Sequence, residues 1–202
     1  MTRRPAVGLV QFSTLALMGL ALTAFYYLHE SRDLHDQIVA AAMDRATALG
    51  NRVAGRYEHF QARGDRTEAT LVVEALSGTP DLAWGVAADA SGLIRDATDH
   101  RLVGRSLALV LGNPAIADSV QSPLAAGTFD VGDSTLTAIY AWWPPPRAGE
   151  LRASRPGTIG LRFELARSLR VARWAVRRRV QYAASIILVA CLIGWEIGRA
   201  HV

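Results

Sequence analysis

Twenty-three consecutive residues, Ala6 to Leu28, carry no charge. As a helix they would span about 34 Å at about 1.5 Å per residue, enough for a hydrocarbon core of about 30 Å. Arg3 and Arg4 precede the run, and Phe25, Tyr26 and Tyr27 close it, as in an interfacial anchor. A cleaved signal peptide would have a shorter apolar core, about 7–15 residues, and a small-residue cleavage site. Here bulky residues follow Ala24, so the run reads as an uncleaved transmembrane helix, 6–28, behind a cytoplasmic N-terminus at 1–5. A second apolar run, Val180 to Trp195, starts directly after Arg177-Arg178-Arg179. Its 16 residues fall short of the roughly 20 that a span needs. We read 180–196 as a second, incomplete span; the alternative is a buried core helix. With the N-terminus inside, the arginines at 177–179 lie outside, against the positive-inside tendency, which is weak for a long translocated domain. The residues between the spans, 29–179, are then extracytoplasmic.

Charge supports the same partition. All 22 basic residues are arginine, and the net charge is +4. Yet Glu30 to Ala166 holds 13 Arg against 17 acidic residues, net −4, whereas Arg167 to Arg179 holds six Arg and no acid. The positive charge therefore sits beside the apolar runs. A nucleic-acid partner would need a basic face on the domain itself, so the bilayer is the expected partner. The lone Cys191 excludes an intramolecular disulfide and a cysteine-rich metal site. The last residues, 197–202, resemble translated sequencing-adapter sequence. We read them as a non-native tail, with the natural chain continuing beyond Glu196; the alternative is a natural C-terminus.

The middle of the chain changes period along its length. Glu30 to Phe60 repeats apolar residues at three- and four-residue steps (Leu34, Ile38, Ala41, Ala42, Leu49, Val53, Tyr57, Phe60) and reads as a long helix, with Gly50 and Gly55 as its weak points. Asp65-Arg66-Thr67-Glu68 has the form of a capping box opening a helix to Leu76. Leu82–Ala88 and Leu93–Ala97 read as a hairpin around the Asp89-Ala90-Ser91-Gly92 turn. Residues 101–111 are helical or loop-like. Strands follow at Gly127–Val131, Thr135–Trp143 and Thr158–Leu165. In the second of these, Leu136, Ala138, Tyr140 and Trp142 share a face. A basic helix, Ala166–Arg179, leads to the second apolar run. Segregated helices and strands of this kind predict an α+β fold with an antiparallel sheet.

The stretch from Asp81 to Leu107 resembles the extracytoplasmic PAS-like sensor domains of bacterial receptors, the single-Cache type. A strand, the Asp89-x-x-Gly92 turn, a second strand and the element Thr98-Asp99-His100-Arg101-Leu102-Val103-Gly104-Arg105-Ser106-Leu107 follow one another as in that family. Gly157 to Arg170 is similar to the family's return into the membrane, and the resemblance covers about residues 30 to 195. It implies a sensory input region, a small-molecule ligand and a homodimer. It also implies a cytoplasmic output beyond this chain, a diguanylate cyclase or a histidine kinase of a two-component system. The Leu34/Ile38/Ala41/Leu49/Val53 stripe offers a dimer interface or packs on its own domain. The resemblance also implies a mostly apolar pocket against the sheet, for which Trp84, Arg95, His100, Arg101, Arg105, Tyr140 and Trp142 are the ligand-binding candidates. Arginine would hold a carboxylate bidentately. The plainer reading makes the three aromatics core residues and the arginines solvated.

No catalytic motif is present: no phosphate-binding glycine loop, no nucleophile elbow, no His-Glu-x-x-His. The five histidines, at 29, 35, 59, 100 and 201, show no metal-ligand spacing. We expect no enzyme, no cofactor and no metal in these residues. Asp96 and Asp99 sit in a turn region and read as solvated. Besides a sensor, a membrane-anchored scaffold without an output fits the same sequence.

Overall fold

The computed structural model describes residues 4–112, 127–146 and 155–200, with side chains described from Thr14 onward except at 15, 16, 195 and 197–200. The fold is α+β. Its elements are α1 (Arg4–Ala62), α2 (Arg66–Glu74), β1 (Leu82–Ala88), β2 (Ile94–Ala97), α3 (Leu107–Leu111), β3 (Thr128–Val131), β4 (Thr135–Trp142), β5 (Gly157–Glu164) and α4 (Ala166–Ala200). They form two compact units, divided between Gln37 and Ile38 in α1 and between Arg167 and Ser168 in α4.

The larger unit, Ile38–Arg167, is built on one antiparallel sheet of order β2-β1-β5-β4-β3. Directly opposed residues of antiparallel strands share a face, so the register sorts the side chains. Asp96, Ala87, Ile159 and Tyr140 line up across four strands on one face. Ile94, Ala88, Thr158 and Ala141 line up on the other. Two bulges interrupt the ladder: Ala83 is the extra residue against β5, and Arg95 is the extra residue against β1.

The first face is covered by α1 and α2. The buried positions of α1 within this unit are Ala42, Ala46, Gly50, Val53, Ala54 and Tyr57, a stripe of mostly small residues that lets the helix approach the strands closely. The expected stripe is thus rotated: Ala41 is exposed, and Val53 is buried within its own unit. Val53 is unavailable to a dimer partner. Gly50 is not a weak point but a notch. A Cβ there would lie 2.0 Å from Cε2 of Tyr140, so the ring occupies the space that a side chain would need. The second helix starts as its sequence predicts, with the Asp65 carboxylate accepting from the Glu68 N–H at 3.1 Å.

The smaller unit contains the two remaining helix ends. In it a Cβ on Gly19 would stand 3.2 Å from Cγ2 of Ile187, and Arg179 Nη1 lies 3.3 Å from Glu30 Oε1. Large apolar side chains are exposed on both helices, among them Leu17, Leu20, Leu22 and Phe25 on α1 and Ile186, Leu188 and Ile193 on α4. Among the described residues no helix is long and apolar enough to cross a membrane.

Candidate functional site

The hairpin turn between β1 and β2 is organised by one carboxylate. Asp89 Oδ1 accepts from the Ser91 N–H at 2.9 Å, the Leu93 N–H at 3.1 Å and the Ser91 hydroxyl at 2.5 Å. Its Oδ2 accepts from Arg95 Nε at 2.7 Å and lies 2.7 Å from Nη2. Burial alone would raise the Asp89 pKa, but the bonds from Ser91, Arg95 and Leu93 outweigh it and hold the carboxyl below its ordinary range. Gly92, at φ 79°, closes the turn. The bulge in β2 is what frees Arg95 to reach back to this turn.

The element after β2 is built the same way. Thr98 locks onto the middle of β1, its N–H donating to Gly85 O at 2.9 Å while its hydroxyl accepts from the Gly85 N–H at 3.0 Å. Asp99 caps a single 3-10 turn, His100–Leu102, accepting from the Arg101 N–H at 3.0 Å. Gly104, at φ 81°, turns the chain so that its N–H donates to Ile94 O at 2.9 Å. The Ile94 N–H in turn donates to Arg105 O at 2.9 Å, making 104–107 a further rung beside β2. The Thr, Asp and Gly of this motif therefore have local backbone roles.

On the helix-covered face lies a cluster that the sequence reading did not assemble. Asp96 is 6% exposed, so its expected solvation is corrected. Its Oδ2 accepts from the Tyr57 hydroxyl at 2.6 Å, and its Oδ1 accepts from the Thr70 hydroxyl at 2.7 Å. One carboxylate on β2 thus ties down both α1 and α2, and a buried carboxylate with two donors avoids the penalty of an unpaired one. Burial first, and then the hydrogen bond and charge of Asp96, push the Tyr57 phenol well above its ordinary pKa. The available signal was a lone acid between Ile94 and Ala97 in a strand whose neighbours are apolar.

Trp142 completes this face. Gly157 lies under it, where a Cβ would come within 2.3 Å of the indole. The ring crosses β5 over that glycine, and its Nε1–H donates to Ala88 O at 3.0 Å. It also meets Tyr57 edge-on at a centroid distance of 4.8 Å. Tyr140 is buried beside it, and its hydroxyl has no hydrogen bond of good geometry among the described residues. Nearby Thr47 donates its own proton to Met43 O at 2.8 Å. Burial raises the Tyr140 pKa, with Thr47 opposing weakly.

The opposite face carries an apolar cluster of Val86, Ala88, Ile94, Ala97 and Leu107, with Trp84, Leu102, Val110 and Leu111 partly buried against it. Gly160 is its floor: a Cβ there would meet Val86 at 3.1 Å, Trp84 at 3.3 Å and Leu107 at 3.6 Å.

The seven candidate residues are therefore not gathered in one place. Tyr140 and Trp142 lie in the core under α1, whereas Trp84 lies on the other face. Arg95 is paired to Asp89. His100 is exposed, with Nε2 3.7 Å from Glu74 Oε1. Arg101 and Arg105 are exposed on the segment after β2 and have no ion-pair partner among the described residues. Among the described residues no three His, Cys, Asp or Glu side chains are grouped to hold a metal ion.

No protein-family model matches the chain, and no curated protein does. Among solved structures, an extracellular ligand binding receptor from Desulfohalobium retbaense DSM5692 aligns with a TM-score of 0.46 and 13% identity, over 75% of this chain and 27% of that one. The chain thus spans about a quarter of that receptor's length.

Proposed function

We propose that this chain is the sensory input region of a bacterial membrane signalling protein. In this reading a PAS-like, single-Cache-type domain lies outside the inner membrane between spans at 6–28 and 180–196. It binds a small molecule and passes a helix displacement to a cytoplasmic diguanylate cyclase or histidine kinase. These residues have no catalytic role of their own.

The observation that carries the proposal is the way both chain exits are tied to one sheet. The helix α1 is unbroken from Arg4 to Ala62 and is pinned to the strands by the Tyr57–Asp96 bond and the Gly50 notch. The central strand β5 passes through Leu165 into α4, which is unbroken to Ala200. A ligand that favours one arrangement of the sheet would shift the population by its differential affinity for that arrangement, and both helices start from the elements displaced. In this reading the ligand's apolar part meets the partly buried side chains around the cluster on the Trp84 face, Trp84, Leu102, Val110 and Leu111. Arg101 and Arg105, exposed and without an ion pair among the described residues, would take a carboxylate. A homodimer would use the accessible part of the α1 stripe, Leu34, Ile38 and Leu49. Support for the spans comes from the uncharged run 6–28 and from the exposed apolar side chains on α1 and α4.

The test is topological. Ser91 is exposed on the hairpin turn. A Ser91→Cys variant, with Cys191→Ser to remove the native thiol, should react with a membrane-impermeant maleimide in intact spheroplasts. Reaction only after lysis, in protein that sediments with the membrane, overturns the proposal.

A further inference from the structure

The six arginines of α4 between 167 and 179 are all exposed. Among the described residues one of them, Arg179, meets a carboxylate, that of Glu30. Like charges one turn apart on a helix repel, and no acid in this stretch offsets them. Two exposed aromatics are set into the band, Trp174 at 62% and Tyr182 at 57%. Arg178 lies between them, with its guanidinium carbon 5.4 Å from the Trp174 ring centre and 5.6 Å from that of Tyr182. Its Nη2 donates to the Tyr182 hydroxyl at 3.1 Å. Arg170 and Arg177 flank Trp174 one turn to either side. Directly beyond Tyr182 the helix surface becomes apolar, with Ile186, Leu188, Val189, Leu192 and Ile193 exposed. Along one helix the order is cation, amphipathic aromatic, hydrocarbon.

That order matches the phosphate layer, the interfacial layer and the acyl layer of a bilayer. We infer that residues 170–182 of α4 form a docking surface for anionic phospholipid headgroups, with Arg170, Arg177 and Arg178 receiving the phosphates and Trp174 and Tyr182 lying at the headgroup–acyl boundary. The inference rests on the membrane reading proposed above and adds the lipid class and the residues. A nucleic acid would meet the same charges but would leave the adjoining Ile186–Ile193 surface uncovered.

The full chain is reconstituted in vesicles of phosphatidylcholine mixed with phosphatidylglycerol, with one lipid or the other brominated in its acyl chains. Quenching of the Trp174 signal, defined by subtraction of a Trp174→Phe variant, reports which lipid is adjacent. The chain should float with the vesicles and select phosphatidylglycerol, and the selection should weaken as salt rises. Each arginine should contribute on the order of 5-fold to that selection. The triple variant Arg170→Gln, Arg177→Gln, Arg178→Gln should float equally well without selecting. Changing the exposed Arg52 and Arg56 to Gln should leave the selection intact. Equal quenching by both lipids in a floating wild-type chain, or unchanged selection in the triple variant, overturns the headgroup site alone. A chain that floats with no vesicle overturns both this inference and the membrane reading.

Discussion

Gly50 and Gly55 both lie inside α1, yet the same substitution should act oppositely at the two. In an open helix interior Gly→Ala stabilises by about 1 kcal/mol, because alanine has fewer unfolded conformations to lose. Gly55 meets that condition, since a Cβ there has nothing within 4 Å. At Gly50 the Cβ would stand 2.0, 2.3 and 2.4 Å from Cε2, Cδ2 and Cζ of Tyr140. The ring cannot simply swing away. Its other edge faces Gly127, where a Cβ would lie 3.0 Å from Cε1, and Phe129 stands edge-on to it at 6.5 Å. Overpacking costs about 1–3 kcal/mol, and contacts this short against a confined ring belong at the upper end. The steric cost therefore exceeds the helix gain, leaving Gly50→Ala about 1–2 kcal/mol less stable. For a unit of this size that is a fall of about 4–8 °C in melting temperature, against a rise of about 4 °C for Gly55→Ala. Near-ultraviolet circular dichroism of the full chain in detergent follows the aromatic packing during the melt. In a Tyr140→Ala background the obstruction is gone, and Gly50→Ala should become stabilising. A Gly50→Ala protein that melts higher in the wild-type background, or a loss that persists without the Tyr140 ring, would refute the reasoning.

Tyr57→Phe removes one of the two donors to buried Asp96 and should cost about 1.5–3 kcal/mol, read as a lower urea midpoint. Because the folded state raises the Tyr57 pKa above 10.0, its stabilising contribution is complete below pH 10 and is lost as pH climbs toward the folded value. Tyr57→Phe should flatten that alkaline decline, leaving the smaller share due to Tyr140. Asp89 has the opposite sign: its folded pKa lies below 3.8, so its contribution holds above that pH and is lost on further acidification, and Asp89→Asn should flatten the acid limb of the urea midpoint against pH. Arg95→Ala should cost less than about 1 kcal/mol by the same assay, since the Arg95 side chain is half exposed.

Local chemistry was legible in the sequence, and face assignment only in part. The Asp65 cap, the Asp89–Gly92 turn and the alternation from Leu136 to Trp142 rest on neighbours within a few residues, and each stands where the pattern placed it. What alternation cannot show is which face meets which layer. That depends on register, and β1 and β2 each carry a bulge that shifts it. Trp84 and Tyr140 look alike as aromatics within strands, but they lie on opposite faces of the sheet. Asp96 reads as solvated because its partners, Tyr57 and Thr70, are distant in sequence. Gly50 reads as a defect because the ring that fills its notch belongs to β4. In each case the deciding interaction spans many residues, and a local pattern records at most an odd residue, not the partner that explains it.

The place of β5 has a consequence for how the chain matures. It is the last strand in sequence yet the middle strand of the sheet, paired along its length with both β1 and β4. Until residues 157–164 are available, the β1–β2 and β3–β4 hairpins have no strand to join them, and each keeps an unpaired inner edge. Two-stranded hairpins are marginal alone, and open edges invite pairing with other chains. Sheet closure therefore waits on contacts of long sequence separation, which slows folding. A chain ending before Gly157 would lose more than its exit helix. It would add two unpaired inner edges, on β1 and on β4, to those the open sheet already has, so aggregation rather than a smaller soluble domain is the outcome that this strand order dictates.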